Sequence, residues 1–191
     1  MVCPVSHINS CLGLTKKQFY IIVLDMLNIA KYPDSILRKR AKEISEFNDD
    51  LKKLAEQMSE AMYQDDGIGL AGPQVSKSLR IIVLGLGQGK YKSYINPEIT
   101  YRSRDKASSE EGCLSLPQIF GFVSRPKKIH VKYQDLDGNV VKEKVKGMDA
   151  VVIQHEVDHL DGILFIDRAS KITKGQEILD DLKKKIDAQS K

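Results

Sequence analysis

Gln154-His155-Glu156-Val157-Asp158-His159-Leu160 is the stretch on which the reading of this chain turns. It has the pattern H-E-x-x-H. On a helix, positions i and i+4 are separated by roughly 40° of rotation and about 6 Å of rise. His155 and His159 then share one face, one turn apart, and can grip one metal ion. Glu156, beside the first histidine, can reach a water on that metal, which is the arrangement of a metal-assisted hydrolase. The plainer reading is a surface helix that carries two histidines and two acids by chance, and 4 histidines in 191 residues leave room for it. A third ligand and an oxyanion site elsewhere in the chain would decide between the two.

Working outward, Met148 to Leu160 reads as the helix itself, with Val151, Val152, Val157 and Leu160 available to a core and Gly162 as its stop. Before it, Lys128 to Gln134 alternates, with Ile129, Val131 and Tyr133 on one face. Asp137-Gly138 makes a hairpin turn, and Val140 to Val145 returns. His130 falls on the opposite face and reads as a solvated strand residue, not a ligand. After the helix, Thr173 to Asp187 reads as a last helix with Ile178, Leu179, Leu182 and Ile186 on its apolar side. Lys183-Lys184-Lys185 is its solvated face.

Further upstream lies Glu110-Glu111-Gly112-Cys113-Leu114-Ser115-Leu116-Pro117. A lone cysteine is usually a small buried hydrophobe, but a glycine and polar neighbours here suit exposure. Joined with His155 and His159, Cys113 gives a soft thiolate and two imidazoles. Three protein ligands leave a fourth position open, the catalytic pattern of metal sites.

Gly67-Ile68-Gly69-Leu70-Ala71-Gly72-Pro73-Gln74 holds three glycines in six residues, which lets backbone approach something closely. It is a poor phosphate loop: it lacks the Gly-Lys-Ser/Thr ending, and no strand–loop–helix order surrounds it. Gln74 offers a neutral amide donor to a substrate carbonyl. Asn48, Asp49 or Asp50 can cap a helix running to about Tyr63, with Leu51, Leu54, Ala55, Met58 and Met62 as its core stripe. Asp66-Gly67 ends it. Lys31-Tyr32-Pro33-Asp34 is an extended turn. Arg80 to Leu84 and Ser93 to Asn96 are short β-rich runs, the second ended by Pro97.

The length suits one domain with a real core. A balance of 30 basic against 26 acidic residues leaves +4. The sequence pI near 8.8 fits loose attraction to a polyanion such as a ribosome surface. No stripe of arginines interleaved with aromatics marks a specific nucleic-acid binder. Three cysteines, Cys3, Cys11 and Cys113, argue for a reducing compartment. No apolar run approaches the ~20 residues of a membrane span. Met1 to Leu24 has no Asp or Glu and ends in the apolar run Phe19 to Leu24. Signal peptide and organelle transit segment are two readings of it. The favoured reading starts translation at Met26. Residues 1–25 then form a dispensable extension outside the fold, and residues 26–191 form a single catalytic domain in the cytoplasm, or in an organelle if the extension is a transit segment.

A glycine loop ending in Gln74, a Glu-Gly-Cys-Leu-Ser turn and a Gln-His-Glu-x-Asp-His-Leu helix, in that order, resemble peptide deformylase. The resemblance runs from about Ile29 to Arg168 and includes Tyr32-Pro33-Asp34 with Leu37-Arg38 and the Gly162-Ile163-Leu164-Phe165-Ile166-Asp167 segment. One departure is visible: the family loop usually reads Gly-Leu-Ala-Ala-Pro-Gln, and Gly72 stands for its second Ala, which is expected to loosen the loop and shift Gln74. The terminal helix from Thr173 resembles the bacterial type 1 branch. The resemblance implies an α+β fold with antiparallel strands packed around the central metal-binding helix and a C-terminal helix. It implies removal of the formyl group from the N-terminal formyl-methionine of newly made polypeptides, releasing formate. By matching positions, Cys113, His155 and His159 would bind one divalent metal ion, Fe²⁺ as the usual active ion with Zn²⁺, Ni²⁺ or Co²⁺ as substitutes. Glu156 would be the general base and then the acid. Gln74 and the Leu114 backbone N–H would hold the oxyanion, and Gly67, Ile68, Gly69 and Gly112 would line the substrate.

The chemistry agrees. Formamide is a poor electrophile and neutral water a poor nucleophile; metal binding can lower the pKa of water from 15.7 to about 7. The rival readings are weaker. A zinc peptidase normally takes its third ligand downstream of H-E-x-x-H, whereas Cys113 lies upstream. A blue-copper protein has no use for Glu156. A structural zinc module would need a fourth ligand from Cys3, His7 or Cys11. A relative that kept the fold but lost or shifted its substrate is the remaining alternative.

Overall fold

The computed structural model describes residues 27–189, so the expectations for residues 1–25 lie outside the described part. Helix α1 (Asp49–Gln64) starts at Asn48, whose side chain accepts from the Leu51 N–H at 3.1 Å. Asp49 and Asp50 in its first turn complement the positive end of the helix dipole. Its stripe of Leu51, Ala55, Met58 and Met62 is buried, as the spacing predicts, against strands β1 (Gly69–Ala71) and β2 (Ile81–Gly87).

These strands join β3 (Lys90–Arg102), β6 (Lys128–Gln134) and β7 (Val140–Lys146) in a five-stranded antiparallel sheet of order β1-β2-β3-β6-β7. A second sheet of three strands holds β4 (Lys106–Cys113), β5 (Leu116–Pro126) and β8 (Lys171–Lys174). Helix α2 (Met148–Leu160) packs on both sheets, chiefly on β1, β2, β7 and β5. Its residues Val152, Ile153, Val157 and Leu160 share a core with Ile82, Ile129, Val131 and Tyr133. A single turn, Phe165–Arg168, and the terminal helix α3 (Gln176–Gln189) pack on the smaller sheet through Phe165 and Leu179. This is the expected α+β fold: antiparallel strands around a central helix, closed by a C-terminal helix.

Two boundaries differ from expectation. Pro97 does not end its strand, because β3 continues to Arg102. The ladder shifts register between Ile95 and Glu98, and Asn96 there has φ +50°. A bulge can accept proline because no ladder N–H is required at that point. Asn96 holds the bulge by bonding the backbone N–H and carbonyl of Ile44 at 2.9 and 2.8 Å. Thr173 is not helical either. Residues 171–174 are taken by pairing with β5, and the helix begins only after Gly175, at φ +77°.

Gly72 is not loose. A β-carbon there would stand 2.5 Å from the Leu79 carbonyl oxygen and 2.9 Å from that of Lys77, so backbone has closed onto the glycine. Gly72→Ala is therefore expected to destabilise the protein by about 1–3 kcal/mol, as overpacking does, and a melting temperature equal to the parent's would contradict this.

Candidate active site

From Gln154 to Leu160 every side chain of α2 is buried, which excludes the surface-helix reading. Buried polar groups are costly unless partnered, and the partners are in place. Cys113 closes β4 at its hairpin with β5 and lies over α2: its Sγ is 3.2 Å from His159 Nε2. The ligand atoms of Cys113, His155 and His159 all lie within 4.8 Å of one another. His155 Nδ1 is 2.9 Å from Glu111 Oε2, which leaves Nε2 for the cluster. A carboxylate on the far nitrogen is how metal-binding histidines are commonly oriented. The residues present thus fit a divalent transition-metal ion.

Glu111 is itself gripped. Arg125, buried, reaches its two carboxylate oxygens at 2.5 and 2.9 Å, and reaches Asp158 at 2.9 Å. Arg168 closes the chain on Asp158 at 2.6 and 2.7 Å. Burial alone would raise Glu111, but its bonds to His155 and Arg125 prevail and hold it at about 2. Burial pulls His155 down, yet its bonds to Cys113 and Glu111 lift it to about 10. Burial, and then the charge of His155, drive His159 well below the usual histidine range.

Glu156 is buried, which pushes its carboxyl up to about 7 against the pull of His155 and Arg125. Its Oε2 has no hydrogen-bond partner. Gly69 explains the fit: a β-carbon there would stand 2.6 Å from Glu156 Oε1 and from Val152. Only glycine lets strand β1 pass so close to the acid.

Gln74 sits on the other side, in a 3-10 turn (Gly72–Val75), almost fully buried. Its Oε1 accepts from the Ala71 N–H at 2.8 Å, which fixes its amide. The Nε2 then faces Cys113 Sγ at 3.5 Å and Ser115 Oγ at 3.3 Å.

A cleft of about 690 Å³ opens over these groups. Cys113, Gln74, His155 and Glu156 line its floor; Ile68, Leu114, Phe120, Met148, Val151 and Val152 give it apolar walls. Gly67, Gly69 and Gly112 line it as well. Gly67 and Gly112 have packing reasons to be glycine, since β-carbons would meet Leu114 at 2.8 Å and Phe120 at 2.7 Å. His130 lies elsewhere, its ring 4.6 Å from that of Tyr101 on the outer side of the large sheet.

The structure brings Cys113, His155 and His159 within 4.8 Å of one another and lines one cleft with Cys113, Gln74, His155 and Glu156; the sequence does not single out Glu111, Arg125, Asp158 and Arg168 as parts of this site. Glu111 had a signal, because residue i−2 from Cys113 lies on the same strand face. Asp158 had a weaker one, at i+3 from His155. Arg125, between Ser124 and Pro126, had none.

Fold and site together define a class: an α+β hydrolase with a Cys/His₂ cluster able to hold a metal beside a buried carboxylate. The family model described as polypeptide deformylase matches residues 26–175. The chain is 49% identical over 145 residues to a peptide deformylase from Thermotoga sp. (strain RQ2), covering 76% of this chain and 88% of that one. It resembles the crystal structure of peptide deformylase from Thermotoga maritima with a TM-score of 0.74 and 47% identity, over 76% of this chain and 99% of that one. Against Plasmodium falciparum peptide deformylase the TM-score is 0.77 at 38% identity, over 85% and 97% of the two chains. The chain belongs to the polypeptide deformylase family. It is a metal-dependent hydrolase that removes the formyl group from the N-terminal formyl-methionine of newly made polypeptides. No helix among the described residues is long and apolar enough to cross a membrane.

Proposed function

We propose that Cys113, His155 and His159 hold one Fe²⁺ ion and that Glu156, Gln74 and the Leu114 N–H carry out deformylation around it. The observation that carries this reading is the buried, partnerless Glu156 oxygen in the cleft that holds the Cys113, His155 and His159 cluster. A Cys/His₂ set also accepts Zn²⁺, Ni²⁺ and Co²⁺. The bound ion supplies Lewis-acid activation of water and of the formyl oxygen.

The protein's own groups do the rest. Glu156 takes the proton of the attacking water and gives one to the amine as the C–N bond breaks, leaving formate and a free N-terminus. A divalent cation next to it favours its charged form, so a carboxyl lifted by burial is set to accept and return a proton near neutrality. Gln74 Nε2, locked by the Ala71 N–H, donates to the oxygen that gains charge, together with the Leu114 N–H. Losing one such donor typically costs roughly 2.7–4 kcal/mol of transition-state stabilisation. The apolar walls of the cleft suit a methionine side chain, with Ile68 and Met148, both largely exposed, at its lips. Gly67, Ile68, Gly69 and Gly112 contact the peptide beside it.

The match over residues 26–175, with the terminal helix packed on the smaller sheet through Leu179, supports residues 26–191 as the catalytic domain, with residues 1–25 outside it. A free cysteine in the site suits the reducing cytoplasm, where ribosomes present the substrate.

Cys113→Ser tests the assignment. A hydroxyl is a poor ligand for these ions, so the variant is expected to lose most of its metal, or change which metal it keeps, and to lose turnover with it. One equivalent of the same metal and unchanged formate release would remove Cys113 from the site.

A further inference from the structure

Strands β6 and β7 carry a second feature that the deformylation site does not use. Their register sets Lys128 opposite Lys146, His130 opposite Lys144, and Lys132 opposite Lys142. The five lysines are exposed and share the sheet face opposite to Ile129, Val131 and Val145, which pack toward α2. Neighbours on this grid stand about 5 Å apart across strands and about 7 Å apart along them. Like charges directly opposite destabilise a sheet.

Lysines on an edge strand guard against unwanted pairing, and β7 is an edge. That accounts for Lys142, Lys144 and Lys146. It does not account for Lys128 and Lys132, because β6 is an interior strand between β3 and β7. The nearby ion pairs use other residues: Lys92 with Glu143 and Lys127 with Asp105. Two acids lie along the row and line its cleft: Glu98, opposite Lys132 on β3, and Glu143, which is paired with Lys92. A cleft of about 450 Å³ runs between Thr100, His130, Lys132, Lys142 and Lys144, and the Tyr101 ring lies against His130. A basic grid with an imidazole and an aromatic ring among the lysines complements a row of phosphates.

We propose that this outer sheet face binds the phosphate backbone of a folded RNA. The proposal deepens the reading of the partner and rests on the enzyme's acting on newly made polypeptides, which are made on an RNA-rich particle. The sheet separates the grid from α2, so a bound RNA leaves the cleft open. The linear sequence hid the patch, because the register assembles it from two strands that are each only alternately charged.

The test titrates the full-length, metal-loaded enzyme with a 20-base-pair RNA duplex of arbitrary sequence at several salt concentrations. A Lys132→Gln/Lys142→Gln/Lys144→Gln variant is compared with a Lys183→Gln/Lys184→Gln/Lys185→Gln variant of α3. The sheet variant is expected to bind more weakly, with its salt slope reduced by about 3. The α3 variant is expected to bind like the parent. Both are expected to release formate from a short formyl-Met peptide at the parent rate. The sheet variant should melt at or above the parent temperature, since it loses like-charge pairs. Unchanged RNA binding by the sheet variant would overturn the proposal, as would an equal loss in the α3 variant. Tighter binding of the parent to phosphatidylserine vesicles than to RNA would also overturn it. Formate release is read in the same samples, so lost RNA affinity without lost turnover concerns this face alone, and lost turnover concerns the deformylation site.

Discussion

Glu156→Gln is expected to keep its metal and to lose turnover by about 10²–10⁴-fold, the usual worth of a positioned acid–base group. The amide has the same shape as the carboxylate, so the close contact with Gly69 survives. It has no lone pair basic enough to take a proton from water and no proton to give readily to the departing amine. The three ligand atoms belong to other residues, so metal content is expected to stay at one equivalent. Stability at neutral pH is expected to hold or rise, because burial opposes the ionised Glu156 and the amide carries no charge. Steady-state formate release, metal analysis and a thermal melt on one preparation check all three. Loss of metal along with activity would make Glu156 a ligand, or a support for the ligands, instead of the base.

Arg125→Leu is expected to produce the largest loss of stability, about 3–5 kcal/mol. That is the usual cost of removing one partner from a buried ionic network. Arg125 alone faces both Glu111 and Asp158, and all three are buried. Without it two carboxylates remain in the interior, Asp158 with only the half-exposed Arg168. For a chain of this size the melting temperature should fall by roughly 6–20 °C. Metal affinity should also weaken by roughly 10–100-fold, because Glu111 orients His155 and is itself oriented by Arg125. Arg125→Lys should rescue little, since one ammonium cannot make the forked contacts to two acids. A melt within 2 °C of the parent's, a tolerance of about half a kcal/mol, would show that the network contributes little.

The helix Met148–Leu160 was legible to the residue, because H-E-x-x-H, the valines and Gly162 all agree on one period and one stop. The hairpin of β6 and β7 was legible for the same reason: alternation and Asp137-Gly138 point the same way. Strands β4 and β5 were not. Lys106 to Cys113 is polar at nearly every position, and it is held as a strand by long pairing with β5, which is a tertiary fact. Thr173 lies in a strand for the same kind of reason, since pairing with β5 outweighs local helical preference there. At Gly72 a sequence shows only a missing side chain; the backbone of residues 77–79 that fills the space comes from the fold. In the site, the groups that touch the reacting centre carry local motifs, while Arg125 acts through Glu111 and needs no neighbour in sequence. Motifs reveal chemistry; the supports of that chemistry come from distant strands.

The most direct measurement is formate release from a short formyl-Met peptide by the full chain, purified without oxygen and loaded with one equivalent of Fe²⁺. Rapid release, abolished in Glu156→Gln with metal retained, is the expected result. No release from protein that holds one equivalent of metal would contradict the central claim that Glu156, Gln74 and the Cys113/His155/His159 cluster form a working deformylation site.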